Sequence, residues 1–381
     1  MARIHSWLKS VLIAFLSLVV AGTAAAQVRF AVTIPAEAAK GPITGRLIVT
    51  LSKSATPEPR LTIGSLSLIG QPIFGMDIEA LKPGQPVFLD ETAAGFPDTL
   101  DKLPAGDYHV QAVLIPYTFA KRSDGHRIWV PYAPVQLPMS KYPGNLYSKT
   151  KSLRIDPGAR QDIALTLTEV IAPVAQAPDT PWIKRVRIKS KILSDFWGFP
   201  MTIGADVLLP KGFAEKPDAR YPAIYTFGHH GAPFRFDTDP ASDTEQQRAA
   251  AADANVETGY QFAREWMGER FPRMVAIAPF MPSPYFVESY AVNSANNGPW
   301  GDAFTKELMP YLERTFRLIA ASHGRVVEGA STGGWEALAL QLHYPDHFGG
   351  AWVFNPDPID FSRYQTIDIY NADNMYTTRI N

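Results

Sequence analysis

Short alternations of polar and apolar residues set the pattern of the first 170 positions. Arg46-Leu47-Ile48-Val49-Thr50-Leu51 reads as a strand, and so does the run from Tyr108 to Leu114, introduced by the turn residues Pro104-Ala105-Gly106-Asp107. Asp162-Ile163-Ala164-Leu165-Thr166-Leu167 alternates cleanly. No long helical period intervenes, so repeated short strands with Gly and Pro turns predict a small all-β, sandwich-like domain over residues 27–170. Residues 171–182 carry three prolines among small residues, from Pro173 to Pro181, and predict a linker.

The pattern then changes. Val186 to Lys191 and Thr202 to Leu209 are strand candidates, and Pro222-Ala223-Ile224-Tyr225-Thr226-Phe227 is a short apolar run of the kind found in buried parallel strands. Gln247 to Trp266 predicts an alanine-rich helical region, followed by a strand at Met274–Ala278. Phe304, Leu308, Tyr311, Leu312 and Thr315 share one helical face, with Asp302 placed to cap the start and Pro310 predicting a kink. Arg325–Glu328 and Ala351–Phe354 are two more strands, flanking a helix marked by Trp335, Leu338, Ala339 and Leu342. Strands alternating with helices over residues 183–381 predict a doubly wound, mostly parallel α/β sheet.

Composition narrows the classes. With 46% hydrophobic residues the 381-residue chain can bury real cores, and 36 Lys plus Arg against 37 Asp plus Glu leave no basic stripe for nucleic acid. Residues 1–26 read as a secretory signal peptide. Arg3, His5 and Lys9 precede an apolar run from Val11 to Gly22, and Ala24-Ala25-Ala26 offers a small-residue cleavage site. A periplasmic or secreted protein with no membrane span after cleavage is expected. Export often accompanies disulfides, but this chain has no cysteine and must rely on its cores.

The segment Glu328-Gly329-Ala330-Ser331-Thr332-Gly333-Gly334-Trp335 contains the Gly-x-Ser-x-Gly pattern. A nucleophilic serine on a sharp strand-to-helix turn needs a strained backbone, and residues two positions away approach too closely for side chains. Gly329 and Gly333 meet that demand, and the amide of Thr332 would face a developing oxyanion. Alone, the pattern arises by chance in roughly one chain in eight of this length. The apolar strand before it and amphipathic helix after it favour Ser331 as a nucleophile over the alternative of a helix-capping serine. Gly228-His229-His230-Gly231-Ala232 follows the Pro222 strand and can supply a second oxyanion donor. Its two histidines also suggest a metal, but there is no HExxH spacing, cysteine or nearby acidic cluster, so neither metal nor cofactor is expected. The polar loop Asn293–Trp300 either lines the cleft or caps the following helix.

From about Ile183 onward the chain resembles the putative-esterase family of α/β hydrolases, which includes esterase D, feruloyl esterases, enterochelin esterases and mycolyltransferases. The resemblance rests on Tyr221–Tyr225 running into His230-Gly231, on Gly301–Phe304 with Glu307–Glu313, and on the elbow with Tyr344-Pro345-Asp346-His347-Phe348. It implies an α/β-hydrolase fold, Ser331 as nucleophile, Thr332 as one oxyanion donor and the His230-Gly231-Ala232 loop as the other.

Family members also place an acid and then a histidine on later loops. Only 50 residues (381 − 331) follow Ser331 here. His343 and His347 sit along or just past the elbow helix, roughly 18 to 24 Å from the serine at ~1.5 Å per residue. Asp357, Asp360, Asp368 and Asp373 lie beyond the last predicted strand and are poor candidates for the acid. The expectation is a fragment lacking the last strands, the triad acid and the histidine; the alternatives are a shortened inactive remnant, or His229 or His230 as a substitute base. The predicted activity is an exported serine carboxylic-ester hydrolase acting through an acyl-enzyme on a small-molecule or polysaccharide-linked ester. Two rivals remain: a serine peptidase or acyltransferase of similar fold, and a non-catalytic envelope or glycan-binding protein with an inactive hydrolase-like half.

Overall fold

The computed structural model describes residues 28–63, 71–228, 234–360, 362–364 and 367–374. The predicted signal peptide therefore lies outside the described residues. Among those that are described, no helix is long and apolar enough to cross a membrane.

The amino-terminal half is all β. Its strands among the described residues are β1 (Val28–Thr33), β2 (Ile43–Ser52), β3 (Ile73–Leu81), β4 (Pro86–Leu89), β5 (Ala94–Phe96), β6 (Gly106–Lys121), β7 (Arg127–Pro131), β8 (Leu146–Tyr147), β9 (Lys151–Ile155), β10 (Gln161–Thr166) and β11 (Glu169–Val170). They form a three-stranded sheet, β10-β1-β4, and a larger sheet ordered β11-β8-β6-β2-β3-β5 with β7 and β9 on β6. β1 and β10 pair in parallel, from Val28 opposite Gln161 to Thr33 opposite Thr166. The alternation read in β2 and β10 points Leu47, Val49, Ile163 and Leu165 into one core with Phe30, Phe74 and Leu114. Residues 172–180 carry no regular structure and are almost entirely exposed, as their prolines require.

The carboxyl-terminal half contains β12 (Ile183–Ser190), β13 (Met201–Leu208), β14 (Ala223–Phe227), β15 (Val275–Phe280), the two-residue strands β16 (Asn293–Ser294) and β17 (Gly298–Pro299), β18 (Arg325–Ser331) and β19 (Gly350–Pro356). Six of these form a sheet ordered β12-β13-β15-β14-β18-β19. The first two pairings are antiparallel and the other three parallel. Antiparallel strands leading into a parallel sheet with crossed-over order are the architecture of the α/β-hydrolase fold. Helices α1 (Lys191–Trp197), α2 (Glu245–Asp253), α3 (Gly259–Trp266), α4 (Trp300–Ala303), α5 (Met309–Thr315) and α6 (Thr332–His343) surround it. β19 borders the sheet among the described residues, and its Trp352 and Phe354 are exposed.

Three local expectations need correction. The helical region from Gln247 to Trp266 is two helices, because Asn255 adopts a left-handed φ of 51° and Thr258 opens a new helix with a Thr258–Gln261 capping box. Asp302 does not cap its helix. It lies in the first turn, where its amide donates to Asn293 Oδ1 and its carboxylate accepts from Lys306 and Tyr344. The loop from Asn293 therefore acts as the cap, and its Trp300 is fully buried with Nε1 donating to Asn297 O. Pro310 does not sit inside one regular α-helix: it lies in the first turn of α5, which a π-helical stretch over Phe304–Leu308 joins to α4.

The two halves are joined by more than the linker. Strand β6 starts in the sandwich core, but its Ala120, with Val130 of β7, belongs to the hydrophobic core of the α/β half. Arg122, just past β6, is buried over the Phe196 ring at 4.7 Å and donates to the carbonyl of Ala295.

Candidate active site

The nucleophile turn is built where β18 runs into α6. Ser331 is the last residue of β18, with φ 54° and ψ −124°, a conformation L-residues adopt only under constraint. Its side chain makes no helix-capping hydrogen bond, which removes the reading of a capping serine. Two close approaches explain the flanking glycines. A Cβ on Gly329 would lie 2.3 Å from the Gly333 carbonyl carbon, and one on Gly333 would lie 2.1 Å from the Phe227 carbonyl oxygen. The second contact also seats the first turn of α6 against the end of β14. It brings Gly228, where the chain enters the His229-His230-Gly231-Ala232 segment, beside the elbow. Those four residues lie outside the described residues.

Thr332 is the first residue of α6, so its amide is among those without an intrahelical acceptor. Its side chain is buried and donates through Oγ1 to Asp357 Oδ2 at 2.8 Å. Asp357 also accepts from Ser331 Oγ at 3.3 Å, and its amide donates to the Ser331 carbonyl at 3.2 Å. The pairing of β18 with β19 brings this about, since Ser331 stands opposite Pro356. Sequence reasoning set Asp357 aside among four distant acids. The structure places it against the elbow, while Asp360 and Asp368 serve local turns through Ser362 and Asn371. His343 ends α6, and His347 packs its ring against Tyr344 and Phe348, so both lie at the far end of the elbow helix.

Behind the elbow sits a pair of buried carboxyls that sequence reasoning missed. Glu336 on α6 is fully buried, and the Tyr290 amide is the group that eases its charge. Glu288 accepts from Gln136 Nε2 at 2.7 Å and from the Ser289 amide at 2.7 Å. Burial pushes the Glu288 carboxyl up to about 8, and burial, then the neighbouring Glu288 and Asp357 charges, push Glu336 well above the usual carboxylate range. Both acids bind protons more tightly in the folded chain than in the unfolded one. Their contribution to stability is therefore full below about pH 4.5 and is lost as pH rises through about 8. Thermal melts from pH 5 to 8 should show this decline, and Glu288→Gln should flatten it; a wild-type melting temperature that rises through this window would contradict the assignment.

The strained serine, its paired glycines and the sheet order define an α/β-hydrolase-type elbow. The family model described as Putative esterase matches residues 199–362, so this segment carries that family's sequence pattern. Among solved structures, an S-formylglutathione hydrolase from Agrobacterium tumefaciens is 13% identical, with 47% of this chain and 60% of that chain covered and a TM-score of 0.30. A CE1 ferulic acid esterase from Anaeromyces mucronatus is 18% identical over 48% of this chain and 63% of that one, with a TM-score of 0.28. The BES protein from Bacillus cereus is 17% identical over 49% and 65%, with a TM-score of 0.30. The chain thus spans less than two thirds of the length of these structures. No curated protein matches the sequence.

Proposed function

We propose that the chain carries the nucleophile half of an exported serine carboxylic-ester hydrolase, with Ser331 as nucleophile. The observation that carries this reading is the left-handed backbone of Ser331 between two glycines that admit no side chain. Strain of this kind persists only where the surroundings enforce it, and here it presents an exposed hydroxyl at the amino terminus of α6.

In the proposed reaction Ser331 Oγ attacks the ester carbonyl carbon and gives its proton to a general base. The carbonyl oxygen gains the negative charge, stabilised by the Thr332 amide and by an amide of the Gly231-Ala232 segment. Collapse expels the alcohol with a proton and leaves an acyl-serine, which water then cleaves. The family resemblance implies that the base is a histidine on the carboxyl-terminal side of the elbow. Asp357 is proposed to hold the Ser331 and Thr332 hydroxyls in place.

A fluorophosphonate probe combined with a substrate panel tests this. In a gene product that also supplies the histidine, the expected result is an adduct on the peptide containing Ser331, absent in Ser331→Ala, and cleavage of 4-nitrophenyl esters in preference to peptide anilides; the 381-residue chain by itself should label poorly. Preferential anilide cleavage would favour a peptidase. An adduct confined to another residue, or persisting in Ser331→Ala, would refute the nucleophile assignment.

A further inference from the structure

A cavity whose lining does not include the elbow residues is formed jointly by the two halves of the chain. It encloses about 610 Å³ between the sandwich strands β2, β3 and β6 and the 285–290 segment of the α/β half. That volume is within the usual range for small-molecule sites. Ile48, Ile115, Met139, Phe286 and Val287 give it apolar walls. Its polar groups are few and fixed. At one side Arg46 pairs with Asp77 at 3.3 Å, and Tyr117 donates to the same carboxylate at 3.2 Å. Glu288 lies at the other.

We propose that this cavity binds an uncharged, mainly apolar small molecule, aryl or branched alkyl. Apolar walls supply the driving force, and burial of the ligand recovers surface now facing solvent. Arg46, the cavity's guanidinium, is already engaged by Asp77, so an anion finds no free cation in the lining. The site differs from the elbow, although the same segment reaches it through Tyr290, whose ring meets Trp335 edge-on at 5.6 Å.

Prodan, an uncharged naphthalene with one ketone acceptor, is a suitable probe for the full chain. Titration should give a saturable blue-shifted emission with one site per chain. Ile48→Trp and Val287→Trp fill the cavity from opposite halves, and each should weaken binding at least tenfold while keeping the wild-type far-ultraviolet dichroism. The proposal is overturned if prodan shows no saturable binding, or if either folded filler variant binds it as the wild type does. Binding, not turnover, is read, so the outcome is independent of the esterase proposal.

Discussion

Gly333→Ala should lower the unfolding free energy by about 3 kcal/mol, the upper end for forcing an added methyl into a packed site. The added Cβ would stand 2.1 Å from the Phe227 carbonyl oxygen and 2.4 Å from its carbonyl carbon. Both neighbours are backbone of β14, which is hydrogen-bonded to β15 on one side and β18 on the other, so neither yields by a rotamer change. In an ordinary helix interior the same substitution stabilises by about 1 kcal/mol, so the effect at residue 333 should have the opposite sign. A melting temperature lower by roughly 6 to 12 °C is expected from that free energy for a domain of this size. Gly350→Ala is the matched control, because a Cβ there meets nothing within 4 Å and its melting temperature should scarcely move. Equal melting temperatures for the two variants would mean that α6 does not sit on β14 as described.

Much of this arrangement is legible in the sequence, and the parts that are not share a cause. The Gly-Ala-Ser-Thr-Gly stretch encodes a local steric demand, so the strained turn could be read from five residues. The strands of the α/β half were readable because each is a short apolar run bounded by turn residues. Asp357 was not, because its place beside Ser331, 26 residues away in the chain, depends on the register of two parallel strands. The Glu288–Glu336 pair was hidden for the same reason: single acids in a sequence read as surface residues until the fold buries them together. The parallel pairing of β1 with β10 spans 133 residues, a separation that alternation cannot reveal. The split at Asn255 did have a local signal in the Thr258–Gln261 capping box, which the alanine-rich helical pattern masked.

The central claim is that residue 331 is held in a backbone conformation hostile to side chains so that a hydroxyl can be presented. Comparing Ser331→Gly with Ser331→Ala isolates the backbone, since both lack Oγ and therefore both lose its contact with Asp357. At an ordinary strand or helix position glycine is the less stable of the two by roughly 0.5 to 1 kcal/mol. At φ 54° and ψ −124° the order should reverse, because only alanine bears the strain, which is worth about 1 to 3 kcal/mol. Neither variant should turn over esters. The decisive measurement is the difference in unfolding free energy between them. The account predicts that Ser331→Gly is the more stable by about 1 kcal/mol or more; an alanine variant as stable as the glycine variant, or more so, would contradict it.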